Sequence, residues 1–112
     1  MTLNEKITAI LAPLGVPVGY MTYKGSKTTY LRFSIYDEYG NNFADDEEID
    51  AEYRVQVDTF GKGNIDQLAK RVKDTMIEAG FSRSGYYENY EENTGYYQKT
   101  YRFTNIIENV EG

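Results

Sequence analysis

Cysteine, histidine and tryptophan are absent from the 112 residues, and proline occurs twice. Without cysteine there is no disulfide scaffold, no thiol chemistry and no cysteine-ligated metal centre. Without histidine every mechanism built on an imidazole base is excluded. No window holds 18 uninterrupted apolar residues, so the sequence offers no membrane-spanning helix. The opening run, Met1 to Lys6, does not read as a secretion signal. Positive charge is also scarce, with 12 Lys and Arg against 18 Asp and Glu, a net charge of −6 that weighs against general affinity for nucleic acid. What remains is a chain long enough for one core and too short for two.

The charge is unevenly spread. Residues 1–36 carry four basic and one acidic side chain, whereas residues 37–58 carry nine acidic and one basic. The acidic stretch runs Asp37, Glu38, Asp45, Asp46, Glu47, Glu48, Asp50, Glu52 and Asp58, relieved only by Arg54. Like charges this dense repel and stay hydrated, which places them on a loop and on one face of a strand.

Hydrophobic periodicity sets the elements. Thr2 and Glu5 form a capping box ahead of a helical stripe of Leu3, Ile7, Ile10, Leu11 and Leu14. Pro13 and Gly15 end that helix. A short strand is expected over Val18 to Tyr23, then a turn at Lys24–Lys27. From Thr28 to Tyr39 the period becomes two: Leu31, Phe33 and Ile35 share one face, and Tyr30, Arg32, Ser34 and Tyr36 the other. Gly40-Asn41-Asn42 opens a loop through Asp45–Glu48. A third strand, Ile49 to Phe60, alternates Ala51, Tyr53, Val55, Val57 and Thr59 with Asp50, Glu52, Arg54, Gln56 and Asp58. Asn64 caps a second helix whose stripe is Ile65, Leu68, Ala69, Val72 and Met76, with Gly80 at its end. A final hairpin joins Tyr86–Glu91 to Tyr96–Ile107. The order α-β-β-β-α-β-β predicts a single α+β domain over residues 1–107: a twisted, mainly antiparallel sheet with both helices on one face. Residues 108–112 are expected to be a flexible tail.

Few signals point to chemistry. Gly25-Ser26-Lys27-Thr28 lacks the contiguous Gly-Lys-Ser/Thr and the upstream glycine of a phosphate loop. Gly61-Lys62-Gly63 lies between a strand and a helix, but Asp66 stands where a dinucleotide fingerprint needs its third glycine. The acidic run is contiguous, and Asp50 replaces the glycine a calcium loop requires at the sixth position from Asp45. No pocket for a pair of pKa-shifted carboxylates is suggested. No cofactor, metal or catalytic residue is assigned, and the expectation is a protein that is not an enzyme.

The 12 tyrosines are the unusual feature. Tyr86, Tyr87, Tyr90, Tyr96, Tyr97 and Tyr101 gather in the last hairpin. A phenol ring suits half-buried strand positions, so cross-strand packing is one explanation. Enrichment of tyrosine where surfaces associate is the other. Stacking on single-stranded nucleic acid is disfavoured because the hairpin itself is negative.

The element order, together with Leu14-Gly15-Val16-Pro17-Val18, Tyr53-Arg54-Val55-Gln56-Val57-Asp58 and Gly95-Tyr96-Tyr97-Gln98-Lys99, resembles the tail-terminator, tail-completion and head–tail joining proteins of long-tailed bacteriophages and prophages. The resemblance covers residues 1–107. It implies a structural protein that forms a ring, commonly a hexamer, capping the tail tube and meeting the head connector. It further implies assembly in the bacterial cytoplasm followed by residence in the virion. On that footing Asp45, Asp46, Glu47, Glu48, Asp50 and Glu52 are expected at a channel or rim that repels DNA, with Lys70, Arg71 and Lys73 and the tyrosines Tyr86, Tyr87, Tyr90, Tyr96 and Tyr97 at contacts between proteins. Partners would be further copies of the chain, tail-tube and connector proteins, without sequence-specific nucleic acid or membrane. The alternatives are a monomeric or dimeric adaptor for one protein partner, or a small-ligand-binding protein.

Overall fold

The computed structural model describes residues 2–44 and 47–108. Helix α1 (Leu3–Leu11) begins as the sequence predicts. The Thr2 hydroxyl accepts from the Glu5 amide at 3.2 Å, and the Glu5 carboxylate accepts from the Thr2 amide at 3.3 Å. A single 3-10 turn, Ala12–Leu14, follows with Pro13 at its start. Next come β1 (Val18–Tyr20), β2 (Tyr30–Ala44), β3 (Glu47–Gly61), α2 (Asp66–Glu78), β4 (Ser82–Glu91) and β5 (Tyr96–Glu108). Gly80, at φ +102°, takes the left-handed turn that releases α2 into β4, a conformation costly to any residue with a Cβ.

The five strands form one sheet in the order β1-β2-β3-β5-β4. Only β1 runs parallel to its neighbour, pairing Val18 with Leu31; every other pair is antiparallel. Both helices cover one face. Ile7, Leu11, Val72 and Met76 from the helices meet Leu31, Phe33, Val55, Val57 and Phe103 from the strands, all fully buried. Each such side chain contributes about 1.5–3 kcal/mol on leaving water. Phe81, between α2 and β4, closes the core edge-on against Phe103 at 6.5 Å.

Strand β1 stops at Tyr20, short of the expected Tyr23, and β2 starts at Tyr30 rather than Thr28, whereas β2 at its far end and β3 to β5 run past their expected limits. The Gly40–Asn42 segment, expected as the start of a loop, is absorbed into β2, with register shifts between Ile35 and Asp37 and again around Asn41 and Asn42. Turn-forming residues are tolerated there because a bulge takes up the irregularity while the ladder continues on either side. Glu47 and Glu48, expected in the same loop, open β3 opposite Ala44 and Phe43. Glu108, expected in the tail, ends β5 opposite Asp50, since a third strand gains backbone hydrogen bonds by following the hairpin. Residues 109–112 lie outside the described residues. The molecule measures 52 × 25 × 24 Å, with a radius of gyration of 15.1 Å against about 13 Å for a rounded chain of this length. The long axis is that of the β2–β3 hairpin, each strand 15 residues long.

Candidate docking surfaces

Strand alternation sends Arg32, Gln56, Asp58, Gln98 and Thr100 to the sheet face away from the helices, and the register puts them side by side. Asp58 is only 2% exposed there. One carboxylate oxygen accepts from the Arg32 guanidinium, with both Nε and Nη2 at 3.0 Å. The other accepts from the Thr100 hydroxyl at 2.6 Å, the Gln56 amide at 3.0 Å and the Gln98 amide at 3.4 Å. Gln98 also donates to Thr100 at 2.9 Å and to the Tyr87 hydroxyl at 3.1 Å, and Arg102 donates to Gln56 at 3.2 Å. A buried carboxylate persists when its lone pairs are filled in this way. The network ties β2, β3, β5 and β4 together on a face with no covering layer.

At one end of this face lies an aromatic corner. Tyr23 stacks on Tyr30 at 4.3 Å, Tyr30 stacks on Phe60 at 5.0 Å, and Tyr96 meets both edge-on at 6.1 and 6.4 Å. Arg32 lies 4.8 Å over the Phe60 ring and Lys62 lies 5.1 Å over Tyr96. Burial in this stack, with Tyr96 alongside, pushes the Tyr30 phenol above its usual value.

The β4–β5 hairpin carries a second aromatic ribbon on the helix side. Tyr86 packs on Tyr101 at 4.7 Å and Tyr90 on Tyr97 at 4.6 Å. Between the pairs the Lys99 ammonium reaches Glu88 at 2.7 Å, Asp66 at 3.0 Å and the Tyr86 hydroxyl at 3.3 Å, while Tyr86 donates to Glu88 at 2.8 Å. Hydrogen bonds to Glu88 first, then Asp66 and Tyr86, raise the Lys99 ammonium well above its ordinary range. The same bond from Lys99 holds the Glu88 carboxyl low. Burial, then its bond to Glu88, raises the Tyr86 phenol. Two shallow cavities of about 340 and 370 Å³ meet at Asp66, Tyr97 and Lys99. Where they meet, Lys99 is already engaged with Asp66 and Glu88, so the arrangement clamps β4 and β5 to the start of α2. Among the described residues no group of three or more metal-ligating side chains gathers, and no helix is long and apolar enough to cross a membrane.

The tyrosines singled out from the sequence divide between two faces. Tyr86, Tyr90 and Tyr97 belong to the helix-side ribbon, while Tyr87 and Tyr96 belong to the uncovered face. Four of them, Tyr86, Tyr87, Tyr90 and Tyr97, stay 43–48% exposed. Asp45 and Asp46 lie outside the described residues. Glu47, Glu48 and Asp50 belong to the far end of β3, and Glu52 stands 3.9 Å from Arg54. Lys70, Arg71 and Lys73, expected at contacts between proteins, lie on α2. Lys70 and Arg71 are exposed, but Lys73 is half-buried, and the exposed side of α2 also carries Asp66, Asp74 and Glu78. Helical spacing interleaves these acids with the cations, so no face of single sign results. Sequence reasoning missed Asp58 and the Tyr23–Tyr30–Phe60 stack. Their one signal was polar or aromatic character at matching phase on three strands, and pairing it needed the register.

No protein-family profile matches this chain, and no curated protein sequence matches it.

Proposed function

We propose that this protein is a structural assembly protein of the phage tail-terminator kind, acting through contacts between sheet surfaces to form a ring at the head–tail junction. The observation that carries the reading is the pair of long uncovered sheet edges. Among the described residues, strand β1 covers β2 only from Leu31 to Phe33, which leaves the outer edge of β2 open from Ser34 to Ala44. The outer edge of β4 is open along its ten residues, and nearly all of its side chains are exposed. Free edges of this length are sites at which another chain adds a strand or lays down a surface. Edges on opposite sides of one sheet favour heterologous contacts, which form rings where the rotation between neighbours closes. An extended hairpin adds reach beyond the core. The acidic segment 45–52 would line a rim or channel and repel phosphate. The subunits would meet tail-tube and connector proteins through the remaining surfaces.

Light scattering across a wide concentration range, with negative-stain imaging of the same samples, tests the reading. Closed rings of one fixed mass are the expected result. A two-fold dimer that persists at all concentrations would overturn it in favour of an adaptor for a single partner. A gene placed between those for capsid and tail-tube proteins is the matching genomic expectation.

A further inference from the structure

We infer that copies of this chain meet head to tail, the acidic end of the β2–β3 hairpin of one copy docking on the aromatic, lysine-rimmed corner of the next. This deepens the ring reading above by naming the two surfaces that touch, and the occupant of the corner is a second copy of the chain.

The corner is prebuilt. Tyr23, Tyr30, Phe60 and Tyr96 already pack on one another, so little side-chain freedom is left to lose on contact. The loop bearing Lys24 and Lys27 is drawn in around Tyr23, whose hydroxyl accepts from the Lys27 amide at 2.9 Å. Gly25 makes that possible, since a Cβ there would overlap the Tyr23 ring. Both lysines are exposed and are held beside the stack, and Lys62 stands over Tyr96. None of the three forms an ion pair among the described residues, whereas Arg32 is committed to Asp58. Glu91, opposite Tyr96 across β4 and β5, offsets part of this charge. A positive corner thus stands on a chain of net charge −6.

Its complement lies at the other end of the molecule. Ala44 pairs with Glu47, and the start of β3 reads Glu47-Glu48-Ile49-Asp50. From Tyr30 to Ala44 the strand covers about 45 Å, so no chain can bring its own acidic end to its own corner. Opposite charges at opposite ends make the contact heterologous, and they set its register more than its strength. Single-stranded nucleic acid suits the corner less well. Tyr30 is sandwiched between Tyr23 and Phe60, Arg32 covers Phe60, and Lys62 covers Tyr96. The faces of Tyr30 and Phe60 are taken and one face of Tyr96 carries Lys62, while the lysine heads remain available to carboxylates.

The test uses the full chain, labelled with ¹⁵N, in a dilution series, alongside two triple variants. With rising concentration the amide signals of residues 23–30, 60–62 and 96 should shift together with those of residues 47–50, and roughly 0.5 M salt should reverse the shifts. Lys24→Glu/Lys27→Glu/Lys62→Glu and Glu47→Lys/Glu48→Lys/Asp50→Lys should each weaken self-association about tenfold at unchanged melting temperature. Mixing the two variants should restore it. The inference falls if no concentration-dependent shift appears up to millimolar protein, if the corner variant associates like the parent, or if the mixture fails to recover. It also falls if a ten-residue thymidine oligonucleotide saturates the corner more tightly than the chain itself does. If the corner variant still builds the parent's closed particle, this contact is wrong and the ring stands. If the two surfaces meet but scattering finds only open chains, the ring is wrong and the contact stands.

Discussion

Asp58 and Thr59 are neighbours in β3 and point to opposite faces, and each is buried at odds with its chemistry. Asp58 is on the side without helices, yet the groups around it take its carboxylate out of water and repay the loss with an ion pair and four hydrogen bonds. Among the described residues its one cationic partner is Arg32. Arg32→Met would remove the guanidinium, including its contact with the Phe60 ring, and strand a buried negative charge. Chemical denaturation should show a loss of about 3 kcal/mol, near the lower bound for breaking a buried pair because Arg32 is itself 36% exposed. Thr59 sits on the helix side at 0% exposure, and its hydroxyl has no hydrogen-bond partner among the described residues. Thr59→Val keeps the shape and removes an unsatisfied oxygen, so the same measurement should show a gain of up to about 1 kcal/mol. Opposite signs at adjacent positions would establish that burial is tolerated at one by bonding and at the other by packing.

At the scale of elements, Lys99 fastens β4 and β5 to the first turn of α2 through Glu88 and Asp66. Glu88 is held below the ordinary carboxyl value of 4.5, so the pair's stabilisation is complete above that value and is lost as pH falls through the lowered folded one. Glu5, held low by its capping bonds to Thr2, acts in the same direction. Lys99 is raised, so its share is complete below 10.5 and is lost as pH rises beyond it. Lys99→Met should therefore flatten the fall in melting temperature between about pH 5 and 3 relative to the parent, while Glu5 and the Tyr86 bond to Glu88 keep their parts. In hydrogen exchange the variant should also open β4 before β3. The elements themselves were legible in the sequence: Thr2 and Glu5 mark the first helix, and the alternation from Leu31 and from Ala51 marks core-facing strands. Bulges and burial on the polar face were not. Gly40–Asn42 carries turn chemistry that cross-strand pairing overrides. Asp58 is buried by partners 26, 40 and 42 positions away, which only strand register brings together.

The whole molecule joins a packed body to a long projection. The described core reaches as far as Ile35 and Tyr53, while β2 and β3 run on beyond it to Ala44 and Glu47. Tyr39 and Glu52 face each other across the hairpin. Replacing residues 40–51 with Asn-Gly would close the strands there with a type I′ turn whose twist suits an antiparallel pair. The end of β5 would lose its partners at Ala51 and Asp50, a small part of its ladder. The helices, the Asp58 network and the aromatic corner would remain. The shortened chain should thus unfold cooperatively with a melting temperature within a few degrees of the parent's, and sediment as a rounder monomer. If the projection serves assembly, light scattering should find this variant monomeric at concentrations where the parent associates. A shortened chain that associates like the parent would move the contact to the outer edge of β4 and the tyrosine ribbon beside it. Unchanged folding with lost association would assign the projection to assembly, where its length and its charge act together.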